Sequence, residues 1–205
     1  MTLDYEAAII NVSLLWMLTA PHEFAHAWTA VKLGDDTPAR EGRVTLHPLA
    51  HVDWLGTLIL PGLLSLFGGG FLGWGKPVNT NPANLRGGNR GLALVALAGP
   101  FSNILFAVIL AAVTVAALRL APEYAMFPAK GVYLSIYLAL FNLLPVPPLD
   151  GSKLLLLVRA PMTVYYELAR AGFLVILVLM TATPLGSWLS AGSFRAAHFL
   201  MTLFR

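Results

Sequence analysis

The chain has 205 residues, 58% of them hydrophobic and only 11% charged; soluble domains carry ~25% charged residues, so this composition belongs to an integral membrane protein. Thirteen Lys and Arg against ten Asp and Glu leave a net charge of +3 with no basic run, so nucleic acid is not an expected partner. The absence of cysteine excludes disulfides, thiolate zinc ligands and a Cys nucleophile, and leaves His, Asp and Glu to hold any metal.

At ~100–200 residues per domain, residues 1–205 read as a single domain. Met1 to Glu6 is acidic where a signal peptide is basic, so no cleaved leader is expected. A spanning helix needs ~20 largely apolar residues, and four runs meet that length. They extend from about Tyr5 to Leu33, Gly91 to Leu120, Val132 to Leu144 (to Leu149 if the chain continues unwound) and Val164 to Leu185. Between the first two, Gly34 to Asp53 alternates polar and apolar residues, as in Arg43-Val44-Thr45-Leu46-His47, and reads as a small β-hairpin at the surface. Trp54 to Phe67 is apolar but short, contains Pro61 and Gly62 and is followed by Gly68-Gly69-Gly70, which suits a re-entrant or short helix. Trp74 to Arg90 is too rich in Gly, Pro and Asn for helix. The tail from Ser187 to Arg205 reads as an amphipathic helix on the membrane surface. The expected fold is therefore all-α and polytopic: about four spanning helices, one short element, a small hairpin and a C-terminal amphipathic helix.

An ionisable group inside an apolar run costs several kcal/mol and is a functional candidate by default. The first run carries His22-Glu23-Phe24-Ala25-His26. On a helix His22 and His26 stack on one face with Glu23 on its flank, and two imidazoles so placed can share a zinc ion. A hydrolytic zinc takes three protein ligands and keeps a fourth position for water, so a further N or O ligand must come from elsewhere. Asp150, in Asn142-Leu143-Leu144-Pro145-Val146-Pro147-Pro148-Leu149-Asp150-Gly151, is the other acidic group in or at the edge of a spanning run. In a soluble loop the same Asp-Gly pair would simply mark a turn.

These two motifs, together with Gly99-Pro100-Phe101-Ser102-Asn103 between them and Gly73-Trp74-Gly75-Lys76-Pro77-Val78, resemble the site-2 protease family of intramembrane zinc metalloproteases, in its compact form without a PDZ or CBS domain. The resemblance implies that His22, His26 and Asp150 bind one Zn2+ and that Glu23 is the catalytic base. It also implies cleavage of single-span membrane proteins within the lipid bilayer, the chemistry of regulated intramembrane proteolysis. Asn142 is a further candidate, to hydrogen-bond substrate or oxyanion, or else to cap unwound backbone. Gly73 to Val78 offers an edge to which an extended substrate adds as a strand. The stripe Thr19, His22, His26 and Thr29 faces a small-residue face, Ala96, Gly99, Asn103 and Ala107, whose plain reading is close helix packing. His47, His51 and His198 read as surface or interfacial residues.

With the short run re-entrant, Lys32, Arg40, Arg43, Lys76, Arg86, Arg90, Lys153 and Arg159 share one side, against Arg119, Lys130, Arg195 and Arg205. By the positive-inside rule the site is nearer the cytoplasmic side of the cell membrane. Two other readings use the same residues. A metal-ion or proton transporter needs polar groups from face to face, whereas here they cluster in one half. An inactive partner-binding homologue would be expected to lack Glu23 or a ligand.

Overall fold

Helix α1 (Tyr5–Lys32) starts where Asp4 accepts a hydrogen bond from the Ala7 N–H at 2.9 Å. It continues for 28 residues, about 42 Å at 1.5 Å per residue. In the computed structural model, which describes residues 3–67, 73–158 and 160–205, α1 is followed by α2 (Thr37–Arg40), α3 (Leu60–Leu66), α4 (Asn89–Leu120), α5 (Met126–Asn142), α6 (Lys153–Leu157), α7 (Met162–Ala182) and α8 (Leu185–Thr202). Gly68-Gly69-Gly70 and Arg159, both used in the sequence reading, lie outside the described residues.

The core forms where α1, α4 and α5 meet. Leu14, Leu15 and Leu18 of α1 pack with Ala107, Leu110 and Ala111 of α4 and with Val132, Leu134, Ile136 and Leu138 of α5. The α4 contribution is small and recurs at helical spacing, which lets the backbones approach closely. Ala197 of α8 completes this core from outside α5, and Tyr133 and Ser190 share a 3.0 Å hydrogen bond across the same contact. Helix α7 touches the bundle more sparingly. Gly172 and Ile176 are its buried residues, and a Cβ on Gly172 would stand 1.9 Å from the Pro147 carbonyl oxygen. Only glycine lets α7 rest against the proline-rich turn there.

Two sequence expectations are corrected. Among the described residues three segments, rather than about four, are long and apolar enough to cross a membrane: Asn89–Leu120, Pro122–Asn142 and Met162–Ala182. Helix α1 has the length, but Glu6, Asn11, His22, Glu23 and His26 dilute its apolar content. The β-hairpin is also absent, since no strand occurs among the described residues. Gly34 to Asp53 instead wraps around a carboxylate. Asp35 is fully buried and accepts from the Thr37 hydroxyl (2.6 Å), the Thr37 and Asn81 N–H groups (3.2 and 2.6 Å) and Asn84 Nδ2 (3.2 Å). Gly42, at φ 67°, turns the chain back. The alternation misled because the residue it turns inward is Arg43, 4% exposed, while Leu46 and Leu49 stay outside.

Over Trp54–Leu66 the expected short apolar element is a helical segment. Its end is tied to the start of α1, where the Asp4 N–H donates to the Leu66 carbonyl at 3.1 Å. The tail helix α8 packs Ser193 and Ala197 inward and leaves Trp188, Phe194 and Phe199 outside.

Burial acts to raise the Asp35 pKa, but the hydrogen bonds from Thr37, Asn81 and Asn84 outweigh it and the pKa is lowered from 3.8. The folded state therefore takes up this proton less readily than the unfolded chain. Its stabilising contribution is complete above pH 3.8 and is lost as pH falls through the lower folded value. Asp35→Ala is expected to lower stability at neutral pH by about 2–3 kcal/mol, because the Asn81 N–H and its companions lose their acceptor. Thermal unfolding in detergent at pH 7 and pH 3.5 measures both effects, and the gap between native and variant should narrow at the lower pH.

Candidate metal centre and its apolar cavity

Helices α1 and α4 face one another along the stripe of α1 that carries the histidines. Thr19, His22, Glu23 and His26 are all buried, at 6–8% exposure. Against them lies Gly99, where a Cβ would stand 2.3 Å from His26 Nε2 and 2.7 Å from His22 Cε1. The small face of α4 thus closes directly over the imidazoles.

Asp150 reaches the same point from the other side. The chain leaves α5 at Asn142, passes through Pro145, Pro147 and Pro148, and re-forms a single helical turn at Asp150–Ser152. Gly151 tucks beneath α5, with a Cβ position only 2.2 Å from the Leu143 carbonyl oxygen. Asp150 Oδ2 then lies 3.2 Å from both His22 Nε2 and His26 Nε2, which are 3.0 Å apart. These three residues form a group able to hold a metal ion.

The hydrogen-bond pattern leaves the right atoms for a metal. His26 Nδ1 lies 2.7 Å from the Val95 carbonyl oxygen, which can only accept, so Nδ1 carries a hydrogen and Nε2 is the ring nitrogen available as a ligand. Asp150 Oδ2 is itself buried without a hydrogen-bond partner. Two imidazole nitrogens and a carboxylate oxygen therefore face one another. A tetrahedral zinc with bonds of ~2.0 Å has ligand-to-ligand edges of ~3.3 Å, close to the three separations found. The donor set and its spacing fit zinc.

Glu23 sits beside this triangle, and its Oε2 accepts a hydrogen bond from the Val78 N–H at 3.1 Å. That contact belongs to an ordered ladder. Trp74 N–H donates to Gly56 O (3.0 Å) and Lys76 N–H to His51 O (2.9 Å), while Thr57 Oγ1 donates to Trp74 O (2.8 Å). Arg43 donates to both Ala50 O and Lys76 O. Residues 74, 76 and 78 thus spend their inward-facing groups on the protein. Gly75, Trp74 and Pro77 line a cavity of about 490 Å³ that also takes in His22, Glu23 and Asp150. Its remaining walls are largely apolar, with Leu15 and Leu18 of α1, Phe141 of α5 and Phe173, Ile176 and Met180 of α7.

Of the other polar residues singled out in the sequence, His51 departs from its surface reading. Asn142 lines the cavity, but its Nδ2 donates to the Leu138 carbonyl at 3.0 Å. His47 is exposed, whereas His51 is fully buried and donates through Nε2 to Thr45 O at 2.8 Å. Burial pushes the His51 pKa down. The Arg43 staple had no sequence signal, because an arginine in an alternating loop looks like any solvated charge.

Relatives bear directly on this site. The chain is 39% identical over 184 residues to the "Putative zinc metalloprotease YwhC" of Bacillus subtilis, covering 82% of this chain and 77% of the relative. It is 34% identical to the "Putative zinc metalloprotease Rip2" of Mycolicibacterium smegmatis over 195 residues, and to that of Mycobacterium tuberculosis over 193, each covering 91% of this chain and 72% of the relative. The chain belongs to the site-2 protease family. No family model and no solved structure matches it. Membership carries a metalloprotease function, and the zinc in the relatives' names agrees with the donor set of His22, His26 and Asp150.

Gly99 gives this geometry a direct test. A methyl group on it must push α4 away from both imidazoles, so Gly99→Ala is expected to lower zinc affinity at least tenfold, while the helical circular dichroism signal stays native. Zinc titration with a chromophoric competitor measures the change.

Proposed function

We propose that the protein is an intramembrane zinc endopeptidase that hydrolyses peptide bonds within or near the transmembrane segments of single-span membrane proteins. The convergence of two imidazoles and one carboxylate beside Glu23, at the wall of an apolar cavity among membrane-crossing helices, carries this reading.

His22, His26 and Asp150 would hold the zinc, which when bound would lower the pKa of a water to about 7 and polarise the scissile carbonyl. Glu23 is the base. With Oε2 oriented by Val78, the carboxylate takes the proton of the attacking water and returns it to the departing amine nitrogen. His26 keeps its orientation through Val95, so the ligand lone pair points at the centre throughout the reaction.

The substrate must be extended before it can be cut, and the segment from Trp74 to Val78 suits that need. Its amides at 74, 76 and 78 are held inward by Gly56, His51 and Glu23, while Gly75 lines the cavity and makes no backbone hydrogen bond among the described residues. A substrate strand adds along this edge, with its main chain supplying the partners. Helix α7 forms a side of the cavity, and its exposed Phe173, Leu174 and Val178 suit a face turned to the bilayer.

The site lies toward the cytoplasmic side of the cell membrane. Lys32 at the end of α1, with Arg86 and Arg90 at the start of α4, marks that end. Arg119 stands at the far end of α4, where it donates to the Arg205 carbonyl. The excess of basic residues on the first side sets the orientation.

The deciding experiment measures zinc per chain and cleavage together in detergent-purified protein. The native protein is expected to hold about one zinc, and Asp150→Ala to lose most of it. Glu23→Gln should keep the zinc and lose at least ~100-fold in cleavage rate, the usual contribution of a positioned general base. A native protein that binds no supplied zinc, or a Glu23→Gln variant as active as the native one, would sink the proposal.

A further inference from the structure

Asn103 is a buried polar group at the cavity that neither the fold nor the metal centre explains. It lies one turn beyond Gly99 on α4 and is 1% exposed, yet it lines the cavity that holds His22, Glu23 and Asp150. Its Oδ1 is buried with no hydrogen-bond partner, and no group among the described residues accepts from its Nδ2. Its main chain is well tied, with the Ser135 hydroxyl donating to the Asn103 carbonyl at 2.7 Å. The side chain alone is unused.

A buried amide without partners costs about 1–3 kcal/mol, and the neighbours of Asn103 on this face of α4 are small or apolar: Ala96, Gly99, Ala107, Leu110. A leucine of similar shape would pack there at no polar cost. The antiparallel register of α1 and α4 fixes where the amide lies. His26 faces Val95, both imidazoles face Gly99, and Asn103 therefore comes level with His22 and Thr19, on the cavity side of the metal ligands. Asn142, the other amide in the wall, already donates to Leu138.

We infer that Asn103 Nδ2 is a hydrogen-bond donor to the scissile carbonyl oxygen, strengthening as that oxygen becomes negative in the tetrahedral intermediate. The inference rests on the protease reading above. It assigns the oxyanion role to Asn103 rather than to Asn142. A donor that acts on developing charge lowers the barrier without tightening ground-state binding, so its loss appears in kcat and leaves KM nearly unchanged.

The test uses the full-length protein in detergent with fluorescein-labelled casein as the probe, and compares native, Asn103→Leu, Asn103→Asp and Asn142→Leu. Zinc content is measured in every sample. Asn103→Leu is expected to keep about one zinc and a native or higher melting temperature, while kcat falls by about 10²–10³ with KM within about threefold, the usual cost of one oxyanion donor. Asn103→Asp keeps the shape without the N–H and should fall similarly, which decides the matter if the leucine variant does not fold. Asn142→Leu should lose less in kcat than either. An Asn103 variant that holds zinc and keeps kcat within about threefold of native overturns the inference and leaves the protease reading standing. A native protein with neither zinc nor cleavage overturns both.

Discussion

Two imidazole nitrogens and a carboxylate oxygen, all within about 3 Å of one another inside an apolar bundle, set the terms for the rest of the molecule. Their lone pairs repel unless a metal ion or a proton lies between them, and nothing apolar around them can soften that. Their convergence therefore has to be enforced by packing. Gly99 removes the side chain that would hold α4 away from the histidines. Gly151 removes the one that would hold Asp150 away from α5. The cluster of Leu14, Leu15 and Leu18 with Ala107, Leu110, Ala111 and Val132 supplies the apolar burial that keeps the three helices together. Binding free energy from a metal held there would become stability of this helix arrangement, as at structural metal sites.

The loop system outside the bundle solves a second problem, which is to aim Glu23. A carboxylate on a helix flank has several rotamers, and a general base must hold one. The Val78 N–H selects it, but Val78 lies in a segment with no regular structure of its own. That segment is fixed by Arg43, whose guanidinium bridges the Ala50 and Lys76 carbonyls, and by the Lys76 N–H on His51. Asp35 in turn holds the beginning and end of the same loop system by gathering Thr37, Asn81 and Asn84. The chemistry of one helix thus depends on a buried arginine and a buried aspartate that never touch the metal ligands.

The sequence made the candidate site legible because its residues break the rule of their surroundings: His22, Glu23, His26 and Asp150 are costly groups in apolar runs, at spacings that have chemical meaning, and the fold brings them to one cavity. The region from Gly34 to Asp53 was not legible for the complementary reason. Its alternating pattern describes which residues are polar, whereas its fold depends on Asp35 and Arg43, polar residues that are buried because they satisfy backbone groups. Hydropathy assigns such residues to solvent. The count of spanning helices failed on α1 through the same residues that reveal the site, since an active-site helix sacrifices apolar content to carry its ligands. Asn103 was visible in a stretch that carries the family resemblance and as a member of a small-residue face, and its isolation became apparent only when its neighbours could be named.

Hydrolysis inside such a bundle has two opposed needs, water at the scissile bond and exclusion of water from the helix contacts. The structure separates them by spending polarity sparingly. Thr114 and Ser193 bond back to carbonyls of their own helices, and Ser135 bonds to α4, so these buried hydroxyls draw no solvent. Of the polar residues that line the cavity, Thr19, Asn142 and Thr181 also bond back to carbonyls of their own helices, which leaves Glu23, Asp150 and Asn103 near the histidines and mainly apolar side chains of α5 and α7 elsewhere. On the proposed function, water would be stabilised where a bound metal and Glu23 could use it. An extended substrate entering past α7 would meet mainly apolar walls until its main chain reached Trp74 to Val78, where the free backbone groups of Gly75 would compensate for the hydrogen bonds it gave up on leaving its own helix.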